Sequence, residues 1–173
     1  MGLNKNEVVL LLGTNLGDRI AHLDDAKQRI EENIGPIIKH SNIYESASWG
    51  YKSTNKFLNQ VLIINFKSTP LALLTLTQNI EKDLGKTSNS NIEYTDRPID
   101  IDILLFDNQT VKSDELEIPH PELQNRRFTL VPLCELLKTY QHPVLKSSLS
   151  NLLDKCLDKI EPNHFKNSNL SQY

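Results

Sequence analysis

"FLNQVLIINFKSTPLALLTLTQNIEKDLG", residues 57–85, carries two hydrophobic rhythms in succession. Residues 57–68 read as a strand, with Phe57 and Asn59 on one face at a period of two. The rhythm changes at Thr69, a hydroxyl suited to cap a helix, followed by Pro70 in the first helical position. Leu73, Leu76, Ile80 and Leu84 then form a buried helical stripe, which Gly85 ends.

The same two rhythms extend in both directions. Upstream, "EVVLLLGTNLGD" (7–18) reads as a buried strand over 7–12 and a Gly-rich turn into a helix from about Asp18. Ile20, Leu23, Lys27, Ile30 and Ile34 trace the mostly apolar stripe of that helix, and Gly35-Pro36 stops it. "IIKHSNIYES" (37–46) is the second strand. Downstream, 86–96 has no period and many turn formers, so it is expected to be a long loop, placed as a lid. The fourth strand spans 99–106, and "DNQ" turns it into a hairpin with 110–118. Short helical pieces are expected at 121–125 and 128–137, and Leu149, Leu152, Leu153, Cys156 and Ile160 mark a last amphipathic helix. The order β-α-β-β-α-β is the ferredoxin-like arrangement of the α+β class, an antiparallel sheet with two helices on one face, here with a C-terminal hairpin and helices added. Residues 1–160 are expected to form a single domain and 161–173 a frayed tail. That fold hosts many functions, so function must be read from particular side chains.

Composition narrows the field. A net charge of −3 lacks the basic excess of nucleic-acid or membrane-surface binders. No apolar run reaches membrane-span length, and "MGLNKN" (1–6) is too polar for a signal peptide and does not fit a myristoylation pattern. Cys134 and Cys156 suggest buried hydrophobes in a reducing cytoplasm rather than a disulfide or a zinc cluster.

Two aspartates interrupt the oily run "TDRPIDIDILLF" (95–106). Alternation points Asp100 and Asp102 one way and Ile101, Ile103 and Leu105 the other. Such a pair is either a strand end opening onto solvent or a site for a metal or metal–polyphosphate complex. Arg97 precedes it, and His120, Arg126 and Arg127 follow in "IPHPELQNRRF" (118–128). Guanidinium and imidazole groups grip phosphate oxygens, though each could be an ordinary surface or turn residue. Phe57, Asn59 and Phe128 could sandwich and read a flat heterocycle, or the two rings could be plain core.

"GTNLGD", "FLNQV", "TQNIEKDLG", "RPIDIDILLF", "IPHPELQNRRF" and "VPLCEL" occur in the order found in the 6-hydroxymethyl-7,8-dihydropterin pyrophosphokinases of folate biosynthesis, which the chain resembles from about Glu7 to Ile160. The resemblance implies an enzyme that moves diphosphate from ATP to the pterin hydroxymethyl group and releases AMP. It implies that Asp100 and Asp102 hold two Mg²⁺ ions. Phe57 and Phe128 would sandwich the pterin, Asn59 would read its edge, and Ser46 and Trp49 would fall where the second loop contacts it. Arg97, His120 and Arg126 would bind phosphate, and Gln78 and Glu81 would lie along the helix lining the nucleotide site; the position of loop 86–96 adds the expectation that Lys86 and Tyr94 close over phosphate and ring. A monomeric cytoplasmic protein is expected, with ATP and the pterin as partners, no nucleic acid and no membrane. A non-catalytic pocket and an RNA-binding ferredoxin-like domain are the rival readings; the latter lacks a basic surface.

The chain departs from the family pattern in two loops. Glu93-Tyr94-Thr95-Asp96-Arg97 stands where many members read R-W-G-P-R, and Leu84-Gly85-Lys86-Thr87-Ser88 where L-G-R-x-R is usual. Asp96 is thereby expected to add a third carboxylate near the metals, and Arg127, where glycine is common, to compensate for a lost cation.

Overall fold

Alternate residues of strand β1 (Glu7–Thr14) face two separate cores, and this organises the molecule. A computed structural model describes residues 2–87 and 95–166. β1 is followed by helix α1 (Arg19–Asn33), strands β2 (Ile37–His40), β3 (Tyr44–Ser46) and β4 (Phe57–Asn65), and helix α2 (Pro70–Asp83). Then come β5 (Asp100–Phe106), β6 (Val111–Lys112), β7 (Glu117–Ile118), a 3₁₀ turn (Leu123–Asn125), α3 (Arg127–Leu137), α4 (Leu149–Lys155) and β8 (Asn163–His164). The main sheet runs β5-β1-β4-β3-β8, with β2 also on β4, and every pairing is antiparallel. The ferredoxin-like order read from the sequence is borne out.

Val8, Leu10 and Leu12 of β1 pack with Leu58, Leu62 and Ile64 of β4 beneath Leu23, Ala26 and Ile30 of α1 and Leu73 and Ile80 of α2. Val9 and Leu11 look the other way, with Val61 and Ile63, onto Leu130, Leu133 and Leu137 of α3 and Leu149 of α4. Both sheet faces are therefore covered, which explains why β1 and β4 are apolar without alternation. The helix caps follow the sequence: the Asp18 carboxylate accepts from the Ala21 N–H, and the Thr69 hydroxyl from the Ala72 N–H ahead of Pro70. Gly35 cannot be replaced without movement, since a Cβ there would lie 2.1 Å from the Asn65 carbonyl oxygen.

Several expectations are corrected. The second strand is broken in two, because the Ser41 hydroxyl, not a backbone carbonyl, accepts the Val61 N–H at 3.0 Å. Leu105 does not share a face with Ile101 and Ile103. The β1–β5 register shifts so that Val9 meets Leu105 while Leu10 meets Ile103; Leu104 is the extra residue, and Leu104 and Leu105 both join the α3 side. Residues 110–118 form no ladder with β5; β6 and β7 pair with each other instead. The last helix stops at Lys155, so Ile160 lies beyond it and is 40% exposed. Within the expected frayed tail, Asn163 and His164 pair with Glu45 and Tyr44 as an edge strand. Among the described residues, no helix is long and apolar enough to cross a membrane.

Candidate active site

The β-sheet register lines up the polar residues of the site. Gly13 of β1 sits opposite Asn59 of β4 on one side and Asp100 of β5 on the other, so these three form one row across three strands. Leu11 occupies the same place in the next row, between Val61 and Asp102. Leu130, Leu133 and Leu137 of α3 cover the apolar residues of this face, and Phe128 in its first turn borders what is left. What remains is a cavity of about 270 Å³ lined by Gly13, Phe57, Asn59, Asp100 and Asp102, with Arg97, His120 and Arg126 at the carboxylate side. Gly13 leaves the floor open; a Cβ there would stand 3.4 Å from Asn59 Oδ1 and 3.8 Å from the Phe57 ring.

Cations surround the two carboxylates. Lys86 Nζ donates to Asp100 Oδ1 at 2.5 Å and lies 2.9 Å from Glu81 Oε2, while Arg97 reaches Asp100 Oδ2 at 3.1 Å. Arg126 lies 3.5 Å and His120 Nε2 3.9 Å from Asp102 Oδ2. Burial acts to raise the Asp100 pKa, but Lys86 and Arg97 outweigh it and hold the carboxyl below the usual range. Asp102 has weaker compensation, and burial together with the Asp100 charge pushes it to about 7. Glu81 is likewise raised to about 7 by burial and by Asp100. His120 is depressed to about 4 by burial and by Arg126. Because His120 Nδ1 accepts the Glu122 N–H at 3.1 Å, the neutral ring carries its proton on Nε2, which faces Asp102.

The other end of the cavity is aromatic. Phe57, Trp49, Tyr51 and Phe128 line it, and the Arg126 guanidinium stands 4.9 Å from the Trp49 centroid and 5.9 Å from that of Phe128. The Asn59 amide is pinned, its Nδ2 donating to Ser46 Oγ at 3.0 Å; only 1% of the residue is exposed.

Of the residues singled out in the sequence, Ser46, Trp49, Phe57, Asn59, Arg97, Asp100, Asp102, His120, Arg126 and Phe128 line this one cavity. Gln78, Glu81 and Lys86 instead line a neighbouring depression with Lys82 and Thr87, and Lys86 bridges the two through Asp100. Glu81 is turned inward, accepting the Ile101 N–H at 2.6 Å, so it holds β5 as well as Lys86. Tyr94, with Ser88, Glu93 and most of the expected lid, lies outside the described residues. Arg127, expected to compensate for a lost cation, is not among the cavity-lining residues; its Nε donates to Glu161 at 2.5 Å. Asp96 does not join the two aspartates. Among the described residues no three His, Cys, Asp or Glu side chains come together as a metal site, and Asp96 accepts instead from Asn15, Tyr51 and Asn55. Leu11, Gly13, Ala47 and Tyr51 were missed as lining residues. Gly13 lay within the "GTNLGD" motif, but its missing side chain signals a pocket only once its cross-strand partners are known.

A family model described as 7,8-dihydro-6-hydroxymethylpterin-pyrophosphokinase (HPPK) matches residues 9–138. The chain belongs to this family. An HPPK relative from Porphyromonas gingivalis, a 2-amino-4-hydroxy-6-hydroxymethyldihydropteridine pyrophosphokinase, is 42% identical over 138 residues, 79% of this chain and 93% of that one. One of the same name from Aquifex aeolicus is 37% identical, covering 82% and 87%. A mitochondrial folate synthesis bifunctional protein of Pisum sativum is 38% identical over 77% of this chain, which spans 25% of the plant protein. Among solved structures, a Plasmodium falciparum HPPK-DHPS chain superposes with a TM-score of 0.70 at 20% identity, over 88% of this chain and 43% of that one; this likeness bears on the fold alone. HPPK membership gives the protein a pyrophosphokinase role in folate biosynthesis, with ATP as co-substrate.

The donor set suits Mg²⁺. This ion takes oxygen ligands, commonly one or two carboxylates plus phosphate and water, and here two carboxylates share one strand face with 23% and 28% of their side chains open. The raised Asp102 pKa marks a negative charge that a cation there would relieve.

Proposed function

We propose that the protein transfers diphosphate from ATP to the hydroxymethyl group of 6-hydroxymethyl-7,8-dihydropterin, with Asp100 and Asp102 holding two Mg²⁺ ions. The observation that carries this reading is the single cavity whose one end is aromatic and amide-lined and whose other end is a carboxylate pair ringed by cations. The pterin lies between Phe57 and Phe128, where Asn59 presents a fixed amide edge because Ser46 holds its Nδ2. Trp49 forms the adjoining wall. Arg126 sits at the junction of the two ends, 3.5 Å from Asp102, and is placed to take phosphate oxygens. His120 offers a neutral Nε2–H donor, and Arg97 a permanent cation beside Asp100. Gln78, Glu81 and Lys86 border the nucleotide from the neighbouring depression, and Tyr94 belongs to the same loop as Lys86 in sequence.

The chemistry asks mainly for placement. The hydroxymethyl oxygen attacks the β-phosphorus in line with the departing AMP oxygen, and its proton passes to solvent. Bound Mg²⁺ supplies charge neutralisation on the phosphates and acidifies an oxygen it touches. The chain's own part is to fix the ring at one end, neutralise charge at the other and exclude water between them.

We place the protein in the cytoplasm, which the two free cysteines support, and propose that it acts as a monomer. The test is product analysis with ATP, Mg²⁺ and the reduced pterin. AMP should appear in step with pterin diphosphate; ADP with a pterin monophosphate would refute the assignment.

A further inference from the structure

The loop 47–56 supplies Ala47, Trp49 and Tyr51 to the cavity wall yet contains no strand or helix. Within it, Ser48 Oγ donates to the Tyr51 carbonyl at 2.7 Å and accepts the Ser53 N–H at 3.2 Å, and Ser53 Oγ accepts the Asn55 N–H at 3.0 Å. Arg19 Nη1 donates to the Lys56 carbonyl at 2.8 Å and Arg126 stands over the Trp49 ring, but several loop donors converge on one carboxylate outside the cavity lining. Asp96 Oδ1 accepts from the Tyr51 hydroxyl at 3.0 Å and from Asn15 Nδ2 at 2.7 Å, and Oδ2 accepts from Asn55 Nδ2 at 2.6 Å. Asn15 completes the cluster, donating also to the Tyr51 hydroxyl at 3.2 Å and accepting the Arg97 N–H on Oδ1 at 2.8 Å. The exit of β1, the loop and the segment entering β5 therefore meet at Asp96. Tyr51 carries the connection onward, its ring meeting that of Phe57 edge-on at 6.5 Å between centroids and 85° between planes.

We propose that Asp96 is a positioning residue for the pterin: it straps loop 47–56 to the Arg97 segment and, through Tyr51, sets the attitude of the Phe57 ring. The proposal rests on the assignment of the pterin to that end of the cavity. An ionised carboxylate suits the task because it only accepts, so several donors can converge on it. The Ser53 hydroxyl foremost, with Asn15, Asn55 and Tyr51, holds the Asp96 carboxyl below the usual range against burial. A proline at this place would offer no side-chain acceptor. An asparagine would still accept from Asn15 and Tyr51 but would turn an NH₂ toward that of Asn55.

The experiment compares wild type with Asp96→Ala, Asp96→Asn, Tyr51→Phe, Asn55→Ala and the double variant Asp96→Ala/Tyr51→Phe. Pterin KM, ATP KM, Mg²⁺ requirement and kcat come from AMP release, and amide hydrogen exchange over 47–56 is followed without substrates. Asp96→Ala should raise pterin KM about tenfold while ATP KM stays within about twofold, the pattern of lost binding to one substrate. Asp96→Asn should recover part of that loss, and the double variant should be no worse than Asp96→Ala alone. Asn55→Ala, which leaves Asp96 in place, should raise pterin KM in the same sense by less. Loop amides should exchange faster in each Asp96 variant. Unchanged pterin KM and unchanged exchange in Asp96→Ala would overturn the proposal, as would equal losses for both substrates. A higher Mg²⁺ requirement with unaltered pterin KM would also overturn it, by making Asp96 part of the cation site. The exchange measurement needs no turnover, so it decides the strap even if the proposed reaction fails.

Discussion

Asp102→Asn should stabilise the metal-free protein while abolishing its turnover. In the folded state the Asp102 carboxyl titrates near 7, against 3.8 for an unperturbed group, because burial and the Asp100 charge disfavour ionisation. The acid is thus harder to ionise folded than unfolded. The resulting penalty is absent below about pH 3.5, grows as pH rises through the window up to the folded value, and is constant above it. A gap of about three units corresponds to about 4 kcal/mol at full strength. The side chain keeps 28% of its exposure and contacts Arg126, so solvent and that partner reduce the expected gain. The asparagine variant should therefore gain roughly 1–3 kcal/mol at pH 8, or about 3–10 °C in melting temperature for a chain of this size. The gain at pH 5 should be less than half as large. Thermal unfolding at the two pH values, in chelator, measures it. Added Mg²⁺ with a non-hydrolysable ATP analogue should raise the wild-type melting temperature and barely move the variant's. Loss of stability at pH 8, or an equal change at both pH values, would refute the reasoning by showing that Asp102 is not a strained charge.

Asn59→Ala removes the amide pinned by Ser46 and should weaken pterin binding by about 1–3 kcal/mol in calorimetry, with nucleotide affinity unchanged. His120 should show an NMR titration midpoint near 4. Its depressed pKa means the unfolded chain binds more protons between about pH 4 and 6.5, so His120→Gln should flatten the rise of stability with pH across that window. Ser41→Ala deprives the buried Val61 N–H of its acceptor and should lower stability by about 1–3 kcal/mol in urea unfolding, without altering pterin KM.

Local rhythm in the sequence was enough to determine the core βαββαβ succession, while the site roles came from the order of the family motifs. The caps at Asp18 and Thr69, the stripes of α1 and α2 and the β-α-β-β-α-β succession depend on neighbours a few residues away, so they are legible one segment at a time. The facing of Asp100 and Asp102 is legible for the same reason, since strand alternation needs no partner. What the tertiary structure decided depends on partners far along the chain. The extra residue at Leu104 appears only when β5 is set against β1, and the break at Ser41 only when its hydroxyl meets Val61. The docking of β8 on β3 joins residues far apart in the chain, while β6 and β7, close in sequence, pair with each other and not with β5. Glu81 gives its carboxylate to the Ile101 N–H, and Asp96 is engaged by Asn15, Tyr51 and Asn55. In each case a charged side chain takes the nearest donors in space, and those donors lie up to 81 residues away in sequence.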